Sequence, residues 1–135
     1  MRNVITSLGL CLILMPTKPA ISLTHPKLSD SIDIPGFDKE IWQLDSLGCL
    51  DRRADFSEIL LANKECILGK KRDLIELLLG VPNRWSFSKK YAFYYLTSGI
   101  QCRGNYDRSR DTVEVFTLSL RYSGDTLRDI GIFIP

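Results

Sequence analysis

The sequence predicts an α+β fold in which short N-terminal helices pack on one face of a three-stranded antiparallel β-meander. Three observations carry that reading. The 135 residues are 44% apolar and 25% charged, a composition that supports one packed domain and does not fit a disordered chain. Apolar residues recur at helical spacing up to Leu79, and beyond Pro82 they alternate with period two. The change falls at Gly80-Val81-Pro82, a helix stop. Helices first and strands afterwards fold as one helical layer on one sheet.

Residues 1–22 read as a cleaved signal peptide. Arg2 gives a short positive start, Val4 to Met15 is an apolar run, and Pro16 ends it. Ala20 and Ser22 put small side chains where a signal peptidase needs them, so the cut is expected after Ser22. The run falls short of the roughly 20 apolar residues that span a bilayer, so no transmembrane segment is expected after cleavage. Cys11 follows Leu8-Gly9-Leu10, with a bulky Leu where a lipoprotein signal has Gly or Ala, so no lipid anchor is expected. A periplasmic or secreted location follows. The leader carries Arg2 and Lys18 but no acid, so the mature chain is neutral, against +2 for the whole. With 18 basic and 16 acidic residues and no basic block, nothing suggests a nucleic-acid surface.

Residues 23–36 contain Pro26 and Pro35 without periodicity and read as an extended linker, which leaves 37–135 as a single domain. The stretch DKEIWQLDSL predicts a first helix capped by Asp38 and stopped at Gly48, with Ile41, Trp42 and Leu44 apolar. Asp51 is the expected cap of a second helix, whose stripe is Phe56, Ile59, Leu60 and Asn63. Arg52, Arg53, Asp55 and Glu58 fall on its solvated side. The third helix lies in GKKRDLIELLLGVP, with Asp73 at its start and Leu74, Ile75, Leu77 and Leu78 as buried surface. KKYAFYYLTSG, TVEVFTLSLRYSG and LRDIGIFIP then predict three strands. A polar loop from Gly99 to Asp111 joins the first two, and a tight turn at Ser123-Gly124-Asp125 the last two.

Removal of the leader with Cys11 leaves Cys49, Cys66 and Cys102. In an oxidising envelope two are expected to pair. Cys49 and Cys102 lie in polar, glycine-containing connections, so a Cys49–Cys102 disulfide is expected, with Cys66 a buried thiol at an apolar helix start. No C-x-x-C spacing occurs, and His25, the one histidine, stands beside Pro26, so neither a metal site nor a cofactor is expected.

Gly69, Leu78, Leu79, Gly80 and Pro82, followed by an aromatic strand and two more, form a pattern over residues 65–134 that resembles the SmpA/OmlA group of small BamE-type envelope proteins. Lys71 departs from it, standing where that group has a helix-capping hydroxyl. Trp42, Asp45, Gly48 and Cys49, together with YYLTSGIQC, resemble secreted members of the same broad group. The resemblance implies a domain shaped like a β-lactamase inhibitory protein repeat, and a non-catalytic adaptor or inhibitor-like role.

Nucleophilic hydrolysis needs a Ser or Cys beside a base, and His25 alone in a linker supplies none. Asp107 and Asp111 share their loop with Arg103, Arg108 and Arg110, and Asp125 and Asp129 flank the last turn. Carboxylates mixed with arginines in this way form solvated pairs. No catalytic residue is therefore assigned. Lys89 to Ser98 reads as an edge strand with rings on both faces, Tyr91, Phe93 and Tyr95 on one and Ala92, Tyr94 and Leu96 on the other. Helices cover only one face. Either the core takes in both, or a linker strand covers the rings, or Tyr91, Phe93 and Tyr95 form a partner-binding patch, Ala92 and Leu96 being the better fit to an interior. The reading that follows is a secreted or periplasmic non-catalytic protein-binding module, an envelope adaptor or assembly factor. An inhibitor or effector directed at a secreted enzyme is the alternative, and a small hydrolase the third.

Overall fold

A computed structural model describes residues 31–107 and 114–134; the leader and its cut, Cys11, His25, Arg108, Arg110 and Asp111 lie outside them. Helix α1 (Lys39–Leu44) begins where the Asp38 carboxylate accepts from the Ile41 amide at 3.0 Å, satisfying an amide that a helix start leaves unpaired. Trp42, fully buried, donates its ring N–H to the Leu79 carbonyl at 2.9 Å. Ile34 is buried in the same core, so packed chain begins before Phe37.

Helix α2 (Arg52–Ala62) departs from expectation twice. Asp51 sits in the left-handed region at φ 56° and makes no capping bond. Asp45 takes that place from across the turn, its buried carboxylate accepting from the amides of Leu50 and Arg52 at 2.9 and 3.0 Å. Asp51 instead accepts from the amide and hydroxyl of Ser98. Arg53, expected in solvent, is 2% exposed. Its Nε donates to the Trp42 carbonyl at 3.0 Å, and its Nη1 to the Ser46 carbonyl and to Asn83 Oδ1, both at 3.1 Å. The guanidinium lies 4.6 Å from the Trp42 ring centroid. Desolvation lowers its pKa to about 10, with Asp45 acting against the shift.

Helix α3 (Arg72–Leu79) buries Ile75, Leu78 and Leu79, while Leu77 is exposed. Lys71 offers no capping bond, and none is missing: the Arg72 amide donates to the Asp125 carbonyl at 2.8 Å, so a turn of the sheet supplies the acceptor.

Four strands, not three, form the antiparallel sheet β1 (Arg84–Trp85), β2 (Tyr91–Tyr95), β3 (Thr117–Ser123) and β4 (Thr126–Phe133), in that order. A two-residue strand is too short to show a period, which is why β1 escapes sequence analysis. It pairs Arg84 with Phe93 and Trp85 with Ala92, so the strand expected at an edge has a neighbour on both sides. One cluster joins Trp42, Leu60, Ile75 and Leu79 of the helices to Ala92, Tyr94, Leu118, Leu120 and Tyr122 of the sheet.

Cys49 and Cys102 are disulfide-bonded, with Cα atoms 5.6 Å apart. Cys66 is buried as expected, but it too is disulfide-bonded, and no cysteine among the described residues is free. That corrects the expectation of one thiol, which rested on counting three cysteines.

Two glycines separate conformation from space. Gly80 has φ 77° and ψ −175°, and a Cβ there meets only the Gln43 side chain at 3.7 Å. Gly48 has φ 71°, and its Cβ would lie 2.8 Å from the Tyr95 carbonyl oxygen. Gly80→Ala should cost about 1–3 kcal/mol of backbone strain. Gly48→Ala should cost about 1–3 kcal/mol more, because backbone must also move. Equal urea midpoints for the two variants would contradict the close approach of the 46–50 turn to β2.

Buried phenols set the alkaline limit. Burial, the largest influence, pushes Tyr94 and Tyr122 above the ordinary tyrosine value near 10, Glu76 adding to both. A raised folded pKa gives stability that is complete below about pH 10 and is lost as pH rises further, because the unfolded tyrosines ionise first. Arg53, lowered to about 10, acts in the opposite sense above that pH, but one group opposes two. The Tyr94 hydroxyl donates to the Gly80 carbonyl at 2.9 Å, whereas that of Tyr122 has no partner among the described residues. Melting curves should therefore show a steep loss above about pH 10 that either Phe substitution flattens. At neutral pH Tyr94→Phe should cost about 1 kcal/mol and Tyr122→Phe nothing.

Candidate functional site

Side chains alternate across a pleated sheet, so β2 settles which rings face the helices. Ala92, Tyr94 and Leu96 lie in the core, and Tyr91, Phe93 and Tyr95 lie on the opposite face. Register then builds that outer face row by row. Arg84, Phe93, Ser119 and Gly131 stand side by side across the four strands. Tyr95, Thr117 and Phe133 form the next row, and Tyr91, Arg121 and Asp129 the row on the other side.

Small residues in the middle row leave a hollow. Ser119 is short and Gly131 has no side chain; a Cβ at 131 would meet nothing within 4 Å. Around the hollow stand Tyr91, Phe93, Tyr95, Val115 and Phe133, enclosing with Arg84, Thr117 and Ser119 a cavity of about 280 Å³. Tyr91 and Phe93 stack with centroids 6.4 Å apart, and the Arg84 guanidinium lies 5.5 Å from the Phe93 ring centroid, within cation–π range. In the adjoining row Arg121 and Asp129 form an ion pair at 3.8 Å.

The three rings expected as a patch share this face but differ in exposure. Tyr91 is 36% exposed and Phe93 half-buried, while Tyr95 is 7% exposed and forms part of the cavity wall. Phe133, 55% exposed, was missed. Its signal was the alternation of Ile130, Ile132 and Ile134, which places the intervening Phe133 on the other face. Arg84 carried no signal, because it lies in a two-residue strand, whereas the alternation in TVEVFTLSLRYSG already sets Thr117 and Ser119 on one face opposite Leu118 and Leu120. Of the carboxylates considered, Asp125 lies 4.0 Å from Arg72 and Asp129 pairs with Arg121. Among the described residues no group of His, Cys, Asp or Glu is arranged to hold a metal.

No family model, no curated protein and no solved structure matches the chain. The site therefore stands on its own geometry.

Burial ranks the rings. Tyr95→Ala should cost about 3 kcal/mol or more, as truncation of a buried aromatic does. Tyr91→Ala should cost about 1 kcal/mol, the stacking on Phe93 being its main loss. Equal chemical denaturation midpoints for the two variants would place Tyr95 on the surface.

Proposed function

We propose that the chain is a secreted or periplasmic module that binds another protein through the outer face of its sheet and performs no catalysis. The observation that carries this reading is a sheet face turned away from the described helices, on which Tyr91, Phe93 and Phe133 surround a cavity. Rigid rings beside an arginine are the composition of protein-binding hot spots. The signal-like leader and the Cys49–Cys102 disulfide support an oxidising compartment. No described helix is long and apolar enough to cross a membrane. The Gly69, α3, Gly80 and Pro82 arrangement supports an adaptor of the SmpA/OmlA kind.

Tyr91→Ser/Phe93→Ser should fold, judged by circular dichroism, and lose capture of the proteins that the wild-type chain retains from an envelope extract. Leu77→Ser serves as the control, since Leu77 is 60% exposed on a helix. A folded double variant that captures the same proteins would move the interface elsewhere. The partner separates the two binding roles: an assembly component marks an adaptor, whereas a secreted enzyme slowed by the chain marks an inhibitor.

A further inference from the structure

We infer that the outer-face cavity takes one apolar side chain of an acidic peptide segment, with the neighbouring carboxylate held by Arg84. The inference rests on the reading of this face as a protein interface. At about 280 Å³ the cavity is at the small end for ligand sites, the size of a side chain rather than of a cofactor. Its wall is Tyr91, Phe93, Tyr95, Val115 and Phe133, which suits an aromatic or large aliphatic group.

Charge decides the rest. Arg84 is the one charged residue in the lining, and no described carboxylate pairs with it. Asp129, the acid of the adjoining row, is engaged by Arg121. Lying over the Phe93 ring, the guanidinium keeps its in-plane donors for a ligand, and a planar fork of this kind suits a carboxylate. A second polar group is also unmatched: Thr117 is 6% exposed, lines the cavity, and its hydroxyl has no partner among the described residues. A neutral or basic segment would cover Arg84 without pairing it, which costs affinity.

The test titrates the ¹⁵N-labelled chain with the capped dipeptide acetyl-phenylalanyl-aspartate amide and with its asparaginyl isostere. The expected result is resonance shifts at Phe93, Ser119 and Gly131, with the acidic probe bound roughly tenfold more tightly than the neutral one. Arg84→Gln should erase that preference while leaving binding of the neutral probe. Gly131→Val should fill the hollow and abolish binding of both, and Gly131→Ala repeats the test if valine loosens β4. Equal binding of the two probes at these residues overturns the acidic inference and leaves the face as an interface. Shifts confined to other surfaces, or no shifts at all, overturn both. A chain that is dimeric until Gly131→Val makes it monomeric has a second copy in the cavity, which also overturns the inference.

Discussion

A guanidinium removed from water constrains most of this molecule. An unpaired buried charge is too costly to persist, so Arg53 must find acceptors inside the fold. It finds the carbonyls of Trp42 and Ser46 and the Asn83 side chain, with the Trp42 ring beneath it. Those acceptors belong to α1, to the turn after it and to the segment before β1. Asn83 then extends the network into the sheet: its backbone N–H donates to the Phe93 carbonyl, and its Oδ1 accepts from the Tyr95 backbone N–H. One buried cation thus fixes where β1 meets β2, and so places Arg84 beside Phe93 on the outer face. Loss of Arg53 would reach the cavity without touching it.

The opposite end of the sheet is held by backbone bonds and by Arg72, whose guanidinium donates to the Gly124 carbonyl at 3.1 Å. Gly69 and Lys70 pair with Leu127 ahead of α3, and the Arg72 amide bonds to Asp125. The helix therefore starts on the β3–β4 turn, which replaces a capping side chain. The helices are thus attached at both ends of one face. On the second face the burial is uneven, with Tyr95 and Thr117 buried and Tyr91 and Phe133 exposed.

Signals confined to neighbouring residues were legible in the sequence, and those made across the fold were not. Asp38, the Gly80 stop and the alternation in β2 each act within a few residues of themselves, and each appears in the structure. Arg53 looks like any solvated arginine on α2, because its acceptors lie up to 30 residues away. Asp45 reads as part of the first helix although it caps the second. The cavity was hidden for the same reason. It depends on Gly131 standing opposite Ser119, and no local pattern announces a missing side chain in one strand as space beside another. The ring alternation showed which side chains shared a face, but it could not show that Tyr95 was buried and Phe133 exposed.

Oxidation connects the compartment to the site. The Cys49–Cys102 bond closes a loop of 53 residues, which restricts the unfolded chain by about 4 kcal/mol in the chain-entropy treatment. Its position matters more than its magnitude. Gly48, next to Cys49, lies against the Tyr95 carbonyl, and Gln101, next to Cys102, donates to the carbonyls of Leu47 and Thr97. Gly99 leaves so little room beside Val115 that an added Cβ would come within 2.4 Å of it. The disulfide therefore holds the loop after β2 against the turn after α1, at the end of the cavity formed by Tyr95 and Val115. A binding surface held in place before its partner arrives loses less freedom on association. With the Cys49–Cys102 bond in place, this wall of the cavity is already formed.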